Sequence, residues 1–281
     1  MEFFQNTNID FMKYRKYFVL VSIVLLSVAI FAVFIKGSLN VGIDFAGGTQ
    51  VTLKFQEKPQ VDELRDVISA AGIGDAQIQR FGAEEDNEVI IKTATVVGSE
   101  EGSQTAVIGA LDRQYNGESA GGFDLNRRGH DAVADLLTES DPDRVVAQDI
   151  EVARQHYAEV ADALLTQRRG DGLLSSWEEV AGVPGVSNEA RAALERQTYL
   201  GNFAVLGSEN VGPQIGAELR RKGILAVVSS LLGMLIYIWL RFELRFGIGA
   251  LVAVTHDVLI VLGLFALAGF EFKLTTIAGF L

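Results

Sequence analysis

The residue with the clearest capacity for chemistry is Asp257, which follows His256 in the middle of a long apolar run, residues 247–270. A charged carboxylate at the centre of a membrane helix costs roughly 2.5–3.5 kcal/mol on insertion scales, and such residues are typical of ion and proton pathways. Helical spacing places Ala250 and Ala253 on the same face, and small residues line helix–helix contacts. We therefore predict that Asp257 faces a helix bundle, with His256 about 100° around the helix. Two interpretations stay open: a proton-carrying carboxylate, or a hydrogen-bonded one that serves packing alone.

The second candidate is the segment VGIDFAGGTQ, residues 41–50, directly after the first apolar run. Gly47 and Gly48 can adopt positive φ angles and allow close backbone approach. Asp44 can accept hydrogen bonds from nearby backbone groups. On residue types alone, the simplest interpretation is a tight turn between a membrane anchor and a domain. A phosphate loop would need a lysine where Gly48 stands, so nucleotide binding is not expected.

Metal, cofactor and covalent chemistry have little support in the sequence. It contains no cysteine, and its three histidines, His130, His156 and His256, lie far apart along the chain. No zinc-binding spacing is present, and no nucleophile–base pair can be identified. We therefore expect neither an enzyme nor a resident cofactor or metal.

Three apolar runs are long enough to cross a bilayer, which takes about 20 residues. They are residues 17–35, 223–240 and 247–270. A cleavable signal peptide is the alternative for the first run, but the run is too long and no cleavage site follows it. Lys13, Arg15 and Lys16 precede this run, so the positive-inside rule predicts a cytoplasmic N-terminus.

The sequence predicts a large domain outside the membrane, with the short loops assigned from the order of the crossings. The predicted parts are a cytoplasmic N-terminus (1–16), transmembrane helix 1 (17–35), a periplasmic domain (36–222), transmembrane helix 2 (223–240), a cytoplasmic loop (241–246), transmembrane helix 3 (247–268), a short external loop (269–273) and the start of a fourth helix (274–281) in a chain expected to be truncated. One feature conflicts with this topology. Arg220, Arg221 and Lys222 precede the second run on the external side, so we expect them on a helix at the membrane surface.

The predicted external domain has the composition of a soluble α+β protein. From Lys36 to Lys222 it carries 31 acidic and 18 basic side chains, an acidic balance that disfavours nucleic acid as a partner. Alternation at Val51, Leu53 and Phe55 predicts a strand. The other predicted elements are a helix starting at Pro59–Gln60, strands at 76–81 and 88–92, an irregular stretch at 93–139, a helix at 141–169 and a strand at 202–206.

Together, several motifs resemble the SecF branch of the SecD/SecF family, within the resistance–nodulation–division (RND) superfamily. These motifs are GIDFAGGT, ENVGPQIGAELRRKGI and WLRFELRFGIGALVAVTHDVLI. The resemblance covers residues 1–92 and 202–281. It marks as motif residues Gly42, Asp44, Gly47, Gly48 and Thr49 after the first span, Gly212, Pro213, Gly216 and Arg220 before the second, and His256 and Asp257 in the third.

The resemblance implies a fold and a function. The fold would be an α-helical membrane protein with an extracytoplasmic α+β (ferredoxin-like) domain, here carrying a long, partly helical insertion at about 95–200. The protein would lie in the bacterial inner membrane, pair with SecD beside the SecYEG channel and associated Sec proteins, and export unfolded preprotein with the proton gradient. His256 and Asp257 would form the proton relay. Membrane lipid would surround its helices, and nucleic acid is not an expected partner.

Two other functions stay open at this stage. One is an efflux or lipid transporter of the same superfamily, which would carry a larger external domain with apolar substrate clefts. The other is a membrane-anchored periplasmic binding module in which Asp257 is only structural. A chain that lost residues 36–222 would keep a titratable proton path in the transporters but would lose every function of a binding module.

Overall fold

The computed structural model describes residues 11–35, 40–73, 76–94, 102–147 and 149–279. The chain divides into two compact units. The helical unit comprises Met1–Gly47 and Pro213–Leu281, and the sheet unit comprises Gly48–Gly212. The sheet unit therefore begins later and ends earlier in the sequence than the predicted domain at 36–222.

The helical unit contains three helices that are long and apolar enough to cross a membrane, at Met12–Phe34, Pro213–Arg241 and Leu244–Ala268. Its described elements are α1 (Arg15–Ile30, continued by a π-helical turn at Phe31–Ile35), β1 (Asn40–Val41), α2 (Ile43–Ala46), α9 (Pro213–Arg241), α10 (Leu244–Ala268), β6 (Glu271–Phe272) and α11 (Leu274–Ala278). Arg220, Arg221 and Lys222 lie within α9 itself, because the helix starts at Pro213 and not near residue 223.

Small residues hold these helices together. The buried positions of α9 are Gly216 and Gly223, and those of α10 are Gly247, Gly263 and Ala266. Small side chains let helix backbones approach closely, as is usual between membrane helices. Large apolar side chains cover much of the remaining surface, as in Phe18 and Leu240, which are 62% and 79% exposed. Such a surface suits contact with lipid.

The sheet unit is built on an antiparallel sheet in which the strand order is β3-β4-β2-β5. Its elements are β2 (Gly48–Phe55), α3 (Val61–Ala70), β3 (Ala76–Phe81), β4 (Glu88–Thr93), α4 (Gly102–Tyr115), α5 (His130–Ser140), α6 (Ile150–Asp171), α7 (Trp177–Gly182), α8 (Asn188–Gln197) and β5 (Phe203–Val211). The strands predicted around residues 51–55, 76–81 and 88–92 and the helix after Gln60 are all present. Strand β5 is longer than the predicted strand at 202–206.

The prediction that residues 93–139 are irregular was wrong for the described part of that stretch, because it contains α4 and α5; residues 95–101 lie outside the described residues. Helix α4 also does not belong to a separate insertion. Its Val107 and Leu111 are fully buried in the same core as Leu64 of α3 and Leu53 of β2. This core covers one face of the sheet.

The helix predicted at 141–169 was placed too early. Helix α6 begins at Ile150, where the Asp149 side chain accepts a hydrogen bond from the Glu151 N–H at 2.7 Å. Asp141 ends α5 with a φ of 40°, and its carboxylate accepts from the Val145 N–H at 2.8 Å. Helices α5 to α8 share a second core, which contains Tyr157, Leu164 and Leu194.

Candidate functional site

Two groups of predicted site residues lie in the helical unit. The first group lies where α1 and α10 end and α9 begins. Here β1 pairs in parallel with β6, and the Gly42 N–H donates to the carbonyl oxygen of Phe272 at 3.0 Å. The Asp44 carboxylate accepts a hydrogen bond from the Leu274 N–H at 2.8 Å, at the start of α11. The segment after the third spanning helix is thereby bound to the segment after the first.

Gly216 of α9 packs against the same segment. A Cβ atom at Gly216 would lie 3.0 Å from the Gly47 backbone nitrogen and 3.3 Å from the Phe45 carbonyl oxygen. At Gly42, a Cβ would lie 3.3 Å from the Phe272 carbonyl oxygen. We call the region formed by Gly42–Gly47, Gly216 and Phe272–Leu274 the glycine junction. It joins two motifs that are about 170 residues apart in the sequence.

The glycine pair after α2 takes the backbone conformation that its residue types predict. Gly47 has a φ of 75° and Gly48 a φ of 140°. Both angles are sterically unfavourable for residues with a side chain, so the backbone conformation favours glycine at both positions. Both glycines thus adopt the positive φ angles that their residue type permits.

The remaining motif residues lie away from these contacts. Thr49 is in β2, where its hydroxyl donates to the Asn210 side-chain oxygen at 3.1 Å. Gly212 is buried, whereas Pro213 at the start of α9 and Arg220 further along it are exposed. Within the described residues, Arg220 has no contact that explains its place in the motif.

The second group is the His256–Asp257 pair on α10. The His256 Nδ1 and an Asp257 carboxylate oxygen are 2.9 Å apart. The His256 Nε2 forms a hydrogen bond with the Ser22 hydroxyl of α1. A carboxylate, an imidazole and a hydroxyl therefore form one chain of hydrogen bonds between two spanning helices.

The predicted orientation of Asp257 does not agree with the described helices. Its side chain is 76% exposed, whereas that of His256 is 31% exposed and faces α1. Ala253 is also exposed. Helices α1 and α9 therefore do not cover the face of Asp257, because α10 meets α1 through His256 and Gly263 instead.

The contacts of α1 with α10 also establish the direction of these helices. A Cβ atom at Gly263 would lie 2.3 Å from the Ala29 Cβ, so the two backbones are very close there. Ser22 and Ala29 are seven residues apart, as are His256 and Gly263, and seven residues make about two helical turns. The two contacts occur in the same order, so α1 and α10 run parallel.

The glycine junction and the His256–Asp257 pair are separate sites on one helix. From Asp257 to the end of α10 at Ala268 the helix axis extends roughly 17 Å at about 1.5 Å per residue. The segment that enters the junction follows immediately after that end. The sequence pointed to neither Ser22 nor Phe272 as site residues. A polar residue inside an apolar run was the one signal available for Ser22.

The sheet unit contains a buried ion-pair cluster that sequence reasoning also missed. The Asp124 side chain is 1% exposed and pairs with the Arg127 Nε at 2.6 Å, while the Arg127 Nη2 lies 2.8 Å from Asp112. Burial alone would raise the pKa of Asp112, but hydrogen bonds from Asn116 and Arg127 outweigh it and hold that pKa below its ordinary value. The Gly201 N–H donates to Asp124 at 3.0 Å. The cluster thus ties α4 to the turn before α5 and to the segment before β5.

A resident metal has no evident site in the parts of the chain that the structure describes, because no group of three His, Asp or Glu residues there could hold one. The two histidines of the sheet unit pair with carboxylates instead. His130 lies 2.9 Å from Asp131, and His156 lies 2.9 Å from Asp143.

Comparisons with known proteins bear directly on these sites. Residues 39–58 match the SecD/SecF GG motif, which includes the Gly42–Gly47 part of the glycine junction. Residues 192–281 match the C-terminal region of the protein export membrane proteins SecD/SecF, which includes Gly216 and the His256–Asp257 pair.

Similar proteins are named protein translocase subunit SecF. One from Koribacter versatilis is 35% identical, and the match covers all of this chain and 70% of the relative. Another from Desulfurispirillum indicum is 31% identical, with 97% of this chain and 60% of the relative covered. The chain thus spans 60–70% of the length of these two relatives.

A solved structure supports the fold. SecDF from Thermus thermophilus, described as a translocon-associated membrane protein, is 24% identical with a TM-score of 0.57, covering 98% of this chain and 26% of that one. The shared fold combines apolar spanning helices with a small α/β sheet region, as predicted in outline from the sequence. This chain is a membrane protein that belongs to the SecD/SecF family, among the protein translocase subunits named SecF.

Proposed function

We propose that this chain acts with SecD, beside the SecYEG channel, to drive the export of unfolded preproteins with the proton gradient. The observation that carries the proposal is membership of the SecF translocase subunits, with both family regions present at residues 39–58 and 192–281. The role is transport, without covalent catalysis.

We infer that α1 begins in the cytoplasm and that the sheet unit lies in the periplasm. Lys13, Arg15 and Lys16 precede the first span, and the first span usually dominates orientation. Because α1 and α10 run parallel, the N-terminus and the loop at 241–246 belong on one side of the membrane. The strand order β3-β4-β2-β5 with helices α3 and α4 on one face supports a ferredoxin-like architecture for the sheet unit.

In the proposed mechanism, Asp257 and His256 exchange protons as the gradient discharges. Moving one charge through 100 mV releases about 2.3 kcal/mol, which can shift a two-state equilibrium roughly fifty-fold. A change in the packing of α10 against α1 would reach the glycine junction, because the segment after α10 is bound there by Gly42 and Asp44. Movement at the junction would then act on the sheet unit, which is joined to it at Gly48 and Gly212.

Complementation tests this function. In a bacterium depleted of its own SecF, the native protein that carries this sequence should restore processing of signal-bearing precursors when its cognate SecD is co-expressed. Purification should recover the two proteins together. If precursors still accumulate although the protein reaches the membrane, and resistance to dyes or detergents rises instead, the efflux alternative replaces this proposal.

A further inference from the structure

His256 lies between two oxygen groups that belong to different helices. Its Nδ1 is 2.9 Å from the Asp257 carboxylate on its own helix, and its Nε2 is hydrogen-bonded to the Ser22 hydroxyl of α1. A neutral imidazole carries one proton, so one ring nitrogen donates and the other accepts. The partner at Nδ1 therefore decides whether Nε2 donates or accepts a hydrogen bond.

The contact with Ser22 is held in place by the packing of the two helices. Two turns further on, Gly263 and Ala29 are so close that a Cβ at Gly263 would lie 2.3 Å from the Ala29 Cβ. Such close backbone contact keeps Ser22 facing the imidazole. Lys13, Arg15 and Lys16 lie six or more residues before Ser22, and Arg245 of α10 lies eleven residues before His256. The titratable and charged side chains of α9 are Glu218, Arg220, Arg221, Lys222, Tyr237 and Arg241. Among the charged side chains of the described helices, Asp257 is the one that forms a hydrogen bond with the imidazole.

We propose that Ser22 is a positioning residue that senses the protonation state of the His256–Asp257 pair and reports it to α1. With Asp257 ionised, Nδ1–H donates to the carboxylate, and Nε2 accepts from the Ser22 hydroxyl. Adding one proton to the pair gives either an imidazolium beside a carboxylate, or a neutral imidazole beside a carboxylic acid that donates to Nδ1. In both forms Nε2 carries a proton and donates to the Ser22 oxygen.

The added proton therefore reverses the hydrogen bond at Ser22 without breaking the helix contact. The Ser22 hydroxyl hydrogen must then find another acceptor, and a serine in a helix can donate to the carbonyl four residues earlier. Ser27 on the same helix does this, since its hydroxyl donates to the Ile23 carbonyl oxygen at 2.8 Å. Protonation on α10 is in this way converted into a change in the hydrogen bonding of α1. The consequence for export rests on the proposed function, but the hydrogen-bond reversal does not.

The first test is ¹⁵N magnetic resonance of the native protein with labelled histidine in lipid bilayers. The chain has three histidines, and a His256→Gln variant assigns the signals of His256 by their loss. We expect the Nε2 signal to change from an accepting to a protonated nitrogen as the pH falls. Ser22→Ala should shift the Nε2 signal and the pH midpoint of the change, and Ser22→Thr should restore both. Ser27→Ala is the matched control and should leave them unchanged. An unchanged Nε2 signal in Ser22→Ala would overturn the proposal.

The second test is gradient-dependent preprotein export in membrane vesicles. Loss of one hydrogen bond predicts an approximately two- to tenfold decrease for Ser22→Ala, with Ser22→Thr and Ser27→Ala near the native rate. Comparable membrane levels of all variants exclude a folding defect. If the magnetic resonance shift occurs while export stays at the native rate, the sensing role is wrong. A proposed function that fails would instead show as gradient-independent export by the native protein, with the resonance result intact.

Discussion

The packing of the glycine junction predicts that replacing Gly216 by alanine destabilises the protein. An alanine Cβ there would lie 3.0 Å from the Gly47 nitrogen and 3.3 Å from the Phe45 carbonyl oxygen. Both are backbone atoms, so neither can rotate away, and α9 must separate from α2 by a few tenths of an ångström. Gly233 on the same helix is the matched control, because a Cβ there meets nothing within 4 Å among the described residues.

The comparison removes the helix-propensity contribution. Replacing glycine by alanine inside a helix stabilises it by about 0.5–1 kcal/mol, and this gain applies to both variants. Overpacking costs typically about 1–3 kcal/mol and applies only to Gly216→Ala. We therefore expect Gly216→Ala to be about 1–3 kcal/mol less stable than Gly233→Ala, and Gly233→Ala to be at least as stable as the native protein.

The measurement is the midpoint of thermal unfolding of the purified protein in detergent. Unfolding is monitored as the fraction of protein that stays monodisperse as the temperature rises. A difference of 1–3 kcal/mol corresponds to a midpoint lower by roughly 2–12 °C for a chain of this size. If Gly216→Ala were as stable as Gly233→Ala, the close approach of α9 to the junction would be refuted. Gly216→Val should then also be tolerated, which provides a second check.

Other predictions concern the helix contact and the buried ion pairs. Gly263→Ala should lower the midpoint of thermal unfolding by more than 2 °C relative to Gly249→Ala, where a Cβ meets nothing within 4 Å among the described residues; equal midpoints would contradict the contact. Arg127→Met removes the cation that pairs with both Asp112 and Asp124 and should destabilise the protein by about 3–5 kcal/mol at pH 7, measured by denaturant unfolding. The pKa of Asp112 is lowered in the folded state, so ionised Asp112 increases the free energy of unfolding. This stabilisation is complete above the unfolded pKa near 3.9 and is lost as the pH falls through the folded pKa. The difference in free energy of unfolding between the native protein and Arg127→Met should therefore decrease as the pH falls from 5 to 3. A difference that is constant over this range would contradict the role of Asp112.

Much of the sheet unit could be predicted because its signals are local. The alternation at Val51, Leu53 and Phe55 is visible within five residues and matches the buried face of β2. Helix α4 was missed because it carries few strongly apolar residues, and it is stabilised by packing of Val107 and Leu111 onto the sheet. Packing partners that are distant in sequence leave no local pattern.

The functional sites divide in the same way. Residue type alone indicated that Gly47 and Gly48 can adopt positive φ, and both do so. The partners of the glycine junction could not be predicted, since Gly42 meets Phe272 across 230 residues. Helical spacing identified a face of α10 at Asp257 but not which neighbour it meets. The first helix meets His256 instead, because Gly263 sets the line of closest approach.

The central claim is that Asp257 carries protons that drive export, and one measurement tests it most directly. Inverted membrane vesicles containing the native protein and SecD are given an arrested preprotein, and completion of its transport is followed with and without a proton gradient. Asparagine matches aspartate in size and hydrogen bonding but cannot carry the proton. Asp257→Asn should remove the gradient-dependent part of transport while leaving membrane level and ATP-driven transport unchanged, and the exposed Asp62→Asn should behave as native. Gradient-dependent transport at the native rate in Asp257→Asn would contradict the account.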